Sequence, residues 1–167
     1  MFPLEPTYFI DDTVENLDVN QLIADGVKGL ILDLDNTIMR PRAGYFCDAV
    51  LPWLEKARGL GLKLIIVTNN KNDQYLKEVE PIIEQHQILM ITKAKKPRRL
   101  KLREALEQIE LPPQNVCIVG DRVLTDILGG RRLGMKTAFV RPLLGNEENR
   151  LFRFLRKIEL LLLCKPH

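Results

Sequence analysis

The stretch GLILDLDNT, residues 29–37, decides how this chain is read. Residues 29–34 are apolar and continuous rather than alternating, the pattern of a parallel strand covered on both faces. Side chains two apart on a strand share a side, so Asp33 and Asp35 reach one crevice while Leu34 turns into the core. Two carboxylates that close repel unless a cation sits between them or one holds a proton. A hard, oxygen-preferring ion such as Mg²⁺ resolves the conflict. One acid is then left as a nucleophile and the other as a proton donor and acceptor.

Four more runs of the same kind lie downstream: 62–68 (LKLIIVT), 88–91 (ILMI), 116–120 (VCIVG) and 137–140 (TAFV). Helical patterns separate them. Residues 49–60 place Val50, Trp53, Leu54 and Ala57 on one face and stop at Gly59-Leu60-Gly61. Residues 72–84 open on an N-cap type, Asn72, and align Tyr75, Leu76, Val79, Ile82 and Ile83. Two further stretches, 98–109 and 124–133, end at Pro112-Pro113 and Gly134. Alternation of strand and helix predicts an α/β, Rossmann-like three-layer sandwich with a five-stranded parallel sheet. Such sheets hold ligands beyond the carboxyl ends of their strands. Functional residues should therefore follow the apolar runs.

They do. The second run ends in Thr68-Asn69-Asn70, whose hydroxyl, amides and turn N–H groups suit phosphoryl oxygens. After the third run comes Lys96-Pro97, an ammonium able to offset charge on a group in transfer. The fourth run ends in Gly120-Asp121, a tight turn and another acid for the ion. Thr125 and Asp126 open the next helix and can brace that site from outside it. Asp126 also reads as an ordinary first-turn acid, and Arg122 as either a substrate contact or an ion-pair partner.

In this order, DLDNT, VTNN, KKP and GDRVLTD resemble the motifs of the haloacid dehalogenase superfamily, and within it the IIIA-type, YqeG-like phosphatases. The resemblance covers about residues 28–142. It implies Asp33 as nucleophile, Asp35 as general acid and base, Thr68 and Asn69 at the phosphoryl group, and Lys96 steadying both that group and Asp33. The Lys-Pro pair of the family selects Lys96 over Lys93 and Lys95. Mg²⁺ would be bound by Asp33, Asp35 through its backbone carbonyl, and Asp121, with Asp126 nearby. Spacing adds a deduction about access. Neither 37–68 nor 69–96 has length to spare for an inserted cap domain, so the site is expected to be capless and open, with only loop 39–45 as a flap.

Composition sets the outer bounds. A chain of 167 residues, 46% hydrophobic and 28% charged, fits one globular domain. The expected division is a core over 28–142, an N-terminal extension over 1–27 and an amphipathic C-terminal helix over 147–163. A net charge of +3 demands no polyanionic partner, yet seven of the eleven residues in 93–103 are basic. Three cysteines without metal-like spacing read as reduced thiols, and no secretory signal is evident, so a cytoplasmic location is expected. Some relatives of the resembling kind dephosphorylate phosphatidylglycerophosphate. An apolar face of Leu151, Phe154, Leu155, Ile158, Leu161 and Leu162 amid basic residues would suit the cytoplasmic face of an anionic membrane. It would equally suit packing on the domain itself. The expected partner is thus a phosphorylated substrate, an anionic phospholipid first and a soluble sugar phosphate or nucleotide second. No nucleic acid is expected, the alternative being a non-catalytic anion- or RNA-binding module acting through 93–103.

Overall fold

The computed structural model describes residues 4–41, 43–143 and 158–159. The expected tail helix over 147–163 therefore lies outside the described residues, apart from Ile158 and Glu159, and so does Cys164.

Six parallel strands form one sheet in the order β1-β6-β5-β2-β3-β4. They are β1 (Tyr8–Phe9), β2 (Gly29–Leu32), β3 (Lys63–Val67), β4 (Leu89–Ile91), β5 (Val116–Gly120) and β6 (Lys136–Phe139). The last five are the strands read from the apolar runs. The expected count of five is corrected by β1, which pairs Tyr8 with Ala138 and Phe9 with Phe139. Two residues carry no periodicity, and their partner lies far along the chain, so local sequence could not announce them. The N-terminal extension thus builds a sheet edge and contributes Val14, Leu17, Val19 and Leu22 to the core. The Trp53 indole N–H donates to the Leu17 carbonyl at 2.8 Å and ties the extension to the first crossover helix.

Period two along β2 divides the core. Leu30 and Leu32 pack beneath α1 (Val19–Ala24), α2 (Val50–Gly59) and α3 (Asp73–Gln85). Ile31 faces the other way, toward α4 (Leu100–Ile109) with Leu102, Ala105 and Ile109. This gives the three layers. From β2 the chain moves outward through β3 to β4, then returns by α4 to β5 on the opposite flank of β2. Between β2 and β5 the winding reverses, the place where open α/β sheets hold ligands. Only α2 joins β2 to β3 and only α3 joins β3 to β4, so no cap domain is inserted. The flap is small: Met39 bridges Asp35 in parallel and Phe46 in antiparallel fashion.

One helix departs from expectation. Residues 124–133 do not form a single α-helix; a wide π-helical turn, Val123–Ile127, leads into α5 (Leu128–Arg131). The Arg122 carbonyl accepts from both Asp126 N at 3.0 Å and Ile127 N at 3.4 Å. Widened turns of this kind are frequent at functional sites. Here the turn carries Asp126 inward, and Gly129 and Gly130 let the following helix press onto Pro97 and Ile118.

A Cβ on Gly130 would lie 2.3 Å from Ile118 Cγ2 and 2.9 Å from Thr137 Cγ2, while one on Gly59 would meet nothing within 4 Å. Gly130→Ala is expected to cost about 1–3 kcal/mol in urea unfolding. Gly59→Ala, inside α2, should be neutral or stabilising by about 0.4–1 kcal/mol. Equal stability of the two variants would contradict this packing.

Candidate active site

Four charged side chains meet at the switch point. Asp33 follows β2, Lys96 follows β4, and Asp121 and Asp126 follow β5. The buried Lys96 ammonium lies 2.7 Å from Asp33 Oδ1 and 2.6 Å from Asp126 Oδ1. Carboxylate oxygens of Asp33, Asp121 and Asp126 lie within 4.8 Å of one another. Such a knot forms because each strand runs apolar to its last residue and then releases a polar side chain at the same sheet edge.

Backbone devices hold the knot in place. Gly120 is required by close approach, since a Cβ there would fall 2.3 Å from Asp126 Cγ. Asp126 Oδ2 accepts from Arg122 N and from the Thr125 hydroxyl, both at 3.3 Å. Oδ2 of Asp126 is thus held by its own turn, while Oδ1 forms the ion pair with Lys96 and has no other hydrogen-bond partner among the described residues. Asn69 clamps the lysine residue: its Oδ1 accepts from Lys96 N at 2.6 Å and its Nδ2 donates to the Lys96 carbonyl at 3.0 Å. The Lys96–Pro97 peptide bond is cis. Of the three competing lysines only Lys96 turns inward; Lys93 pairs with Asp73 at the surface and Lys95 is exposed.

Thr68 is buried at the end of β3, its hydroxyl accepting from Asn70 N at 3.0 Å. Asp35 sits apart from the carboxylate cluster, with Oδ2 accepting from Asn70 Nδ2 at 2.9 Å. Asn70 Oδ1 accepts in turn from Asn72 N at 2.9 Å, which fixes the amide's orientation. The other Asp35 oxygen, Oδ1, is buried without a hydrogen-bond partner among the described residues. Sequence reasoning assigned Asn70 no separate role, although its place two residues past Thr68 put it beside the same crevice. It missed Glu159 altogether. That buried carboxylate takes the Arg122 guanidinium, with Nε at 3.1 Å and Nη2 at 3.2 Å. Nothing in the tail's apolar pattern marks this glutamate out.

Three carboxylates crowd one ammonium at a largely buried site. Burial pushes the Asp33 carboxyl up to about 8; Lys96 pulls it down, and Asp126 and Asp121 push it up again. Burial is the largest of these influences, so the Lys96 ammonium offsets it only in part. Burial alone would depress the Lys96 ammonium, but Asp126 and Asp33 outweigh that and hold it above its ordinary value. A divalent ion suits this site: the donors are all oxygens, three carboxylates gather within reach of one ion, and Asp35 keeps an unsatisfied oxygen nearby.

Fold and site together define the class of haloacid dehalogenase-like hydrolases. A hydrolase family described as HAD-hydrolase-like matches residues 93–147, the segment that carries Lys96, Asp121 and Asp126. The probable phosphatase YqeG of Bacillus subtilis is 33% identical over 162 residues, spanning 93% of this chain and 90% of its own. The chain belongs to the haloacid dehalogenase superfamily, among its YqeG-like phosphatases. Phosphatidylglycerophosphate phosphatase 1 of Chlamydomonas reinhardtii is 31% identical over 139 residues, covering 78% of this chain but only 50% of the algal protein. A solved HAD-superfamily hydrolase of Ehrlichia chaffeensis shares the fold at a TM-score of 0.58 and 14% identity, over 84% of this chain and 99% of that one.

The raised Asp33 carboxyl has a consequence for stability. The unfolded chain releases this proton near pH ~4, whereas the folded, metal-free chain keeps it until about 8. Between those values the folded state binds more protons, so its stability falls as pH rises. In EDTA, Tm is expected to fall from pH 5 toward pH 8, and Asp33→Asn should flatten that slope while raising Tm at the alkaline end. An identical pH slope in the wild type and the variant would contradict it.

Proposed function

We propose that the chain is a Mg²⁺-dependent phosphate monoesterase working through an aspartyl-phosphate on Asp33, and that its substrate is phosphatidylglycerophosphate. The observation that carries the chemistry is the buried Lys96 ammonium bridging Asp33 and Asp126 beside Asp121. The ion pair orients the Asp33 carboxyl, and a bound cation would add the positive charge that holds it ionised as a nucleophile requires. The chain acts as one phosphatase domain, with its core over 28–142 and a sheet edge supplied by the preceding segment through Tyr8–Phe9.

Asp33 attacks phosphorus, forming a bond from its carboxylate oxygen as the bond to the leaving oxygen breaks. Asp35 gives that oxygen its proton, then removes one from the water that releases phosphate and regenerates Asp33. Asn70 determines where the proton sits. Because its amide donates to Asp35 Oδ2, that oxygen is an acceptor, and the transferable proton belongs on Oδ1. Thr68 and Lys96 hold the phosphoryl oxygens, the ammonium offsetting their charge in transfer. Asn69 serves this group from behind, by fixing the Lys96 backbone. Asp33, Asp121 and the backbone carbonyl of Asp35 would hold Mg²⁺, which supplies further positive charge to the phosphoryl oxygens. Asp126, expected as a further metal neighbour, keeps that place beside Asp33 and Asp121 while also pairing with Lys96.

Two features favour a lipid substrate over a free metabolite. The site has no cap domain and can admit a phosphate still attached to a surface, and the algal relative bears the name of that lipid's phosphatase. Phosphate release is to be measured from phosphatidylglycerophosphate in mixed micelles and from a panel of soluble monoesters. The lipid should be preferred; preference for a sugar phosphate or nucleotide would replace this substrate with the soluble one. Asp33→Asn should reduce Mg²⁺-dependent hydrolysis of p-nitrophenyl phosphate to background, and near-wild-type turnover would refute the mechanism.

The role given to Asn70 has its own signature. Nitrophenolate leaves without help, whereas an alkoxide needs the Asp35 proton. Asn70→Ala should therefore lower kcat on an alkyl phosphate about tenfold more than on p-nitrophenyl phosphate. An equal loss on both would reduce Asn70 to a structural role.

A further inference from the structure

The chemistry above needs four charged groups and a metal, yet the rim around them carries charge and apolar surface that hydrolysis does not use. Because all the strands are parallel, the loops leaving β2, β3, β4 and β5 open at one end of the sheet. Exposed there are Arg40 after β2, Lys71 after β3, and Lys95, Arg98 and Arg99 after β4. Among the described residues none of these five has an ion-pair partner. Of the nearby exposed acids, Asp73 is taken by Lys93 and Asp48 remains. Apolar side chains stand among these cations. Leu100 is 75% exposed at the start of α4, Tyr45 on the flap is 59% exposed, and Leu124 beside Asp121 is 41% exposed.

Helix stability does not explain this layout. Helices favour acids in the first turn and bases in the last, and α4 has neither. Lys101 and Arg103 occupy its first turn, Arg98 and Arg99 precede it, and Glu107 and Glu110 mark its far end. Arg99 stands at the N-cap without a side-chain hydrogen bond. Apart from mid-helix Glu104, which pairs with Lys101, the charges are set against the helix dipole, and the most exposed leucine of the described residues sits in the middle of the basic cluster. Local rules broken together for so little local gain point to an external partner.

We propose that this rim docks on the surface of an anionic lipid bilayer. Leu100 and Tyr45 enter among the headgroups, Lys71, Lys95, Arg98 and Arg99 meet lipid phosphates, and a monoester projecting from the surface reaches Asp33 without leaving the membrane. The inference deepens the lipid reading above and rests on it. RNA would also answer the cations and could stack on Tyr45, but the most exposed apolar side chain of the rim is aliphatic Leu100, which offers a base no face and whose burial the acyl boundary rewards.

The test is flotation of the full chain with vesicles of phosphatidylcholine alone, or with phosphatidylglycerol added, for the wild type, Leu100→Glu and the double variant Arg98→Glu/Arg99→Glu. The wild type should partition onto the anionic vesicles and far less onto neutral ones, with binding reduced by salt. Partition should fall about fivefold or more for each arginine removed, and about tenfold for Leu100→Glu. Both variants alter exposed residues outside the chemistry and should hydrolyse soluble p-nitrophenyl phosphate like the wild type, which also reports correct folding. Unchanged partition of Leu100→Glu, equal binding to neutral vesicles, or salt-sensitive RNA binding without vesicle binding would each overturn the docking surface. Absence of aryl phosphate hydrolysis in the wild type would instead strike the phosphatase mechanism, so the two failures are distinguishable.

Discussion

One buried ammonium organises this protein. Lys96 reaches Asp33 and Asp126 at hydrogen-bonding distance, and those acids come from different strand ends on either side of the sheet's reversal. Removing charges from water is costly, and an ion pair recovers that cost only when its geometry and remaining hydrogen bonds are good. Here the backbone supplies them. Asn69 grips the lysine residue at both N–H and carbonyl, and the wide turn after Arg122 gives Asp126 its second partners. Even so, three carboxylates remain gathered within reach of one ion. That crowding turns a structural knot into a site suited to a cation.

The rest of the fold reads as the means of bringing these ends together. Strands β2 and β5 are buried along their whole length, so their carboxyl ends are fixed by packing on both faces. Close contact between the turn after β5 and its surroundings depends on three residues without side chains, Gly120, Gly129 and Gly130. The N-terminal extension adds the last strand at the β6 edge, away from the chemistry. Cys117, buried in β5, has its thiol pushed up by burial and behaves as a small core residue rather than a reactive one. Among the described residues no helix is long and apolar enough to cross a membrane.

Much of this was legible in the amino-acid order, for a physical reason. A parallel strand buried on both faces must be apolar until it ends, so polar residues after each run mark one edge of the sheet. That rule located five strands and the lack of room for a cap, and it pointed to Asp33, Lys96 and Asp121 as residues of one sheet edge. What stayed hidden depends on contacts between distant segments. The two-residue strand β1 exists only through β6. The widened turn at Val123–Ile127 answers the lysine and the glycine contacts, not helix propensity. Asn69 and Asn70 look interchangeable in sequence, yet one holds the lysine and the other holds Asp35. Glu159 belongs to a tail whose pattern reads as apolar, but its carboxylate ends up on Arg122.

Catalysis by this site requires that Asp33 become phosphorylated. During steady-state hydrolysis the enzyme should be quenched in acid, treated with borohydride and digested for mass spectrometry. Reduction of an acyl phosphate would convert Asp33, and no other acid, to homoserine, in amounts that depend on substrate and Mg²⁺. Turnover at a normal rate with Asp33 unmodified, or homoserine at Asp35, Asp121 or Asp126 instead, would contradict it.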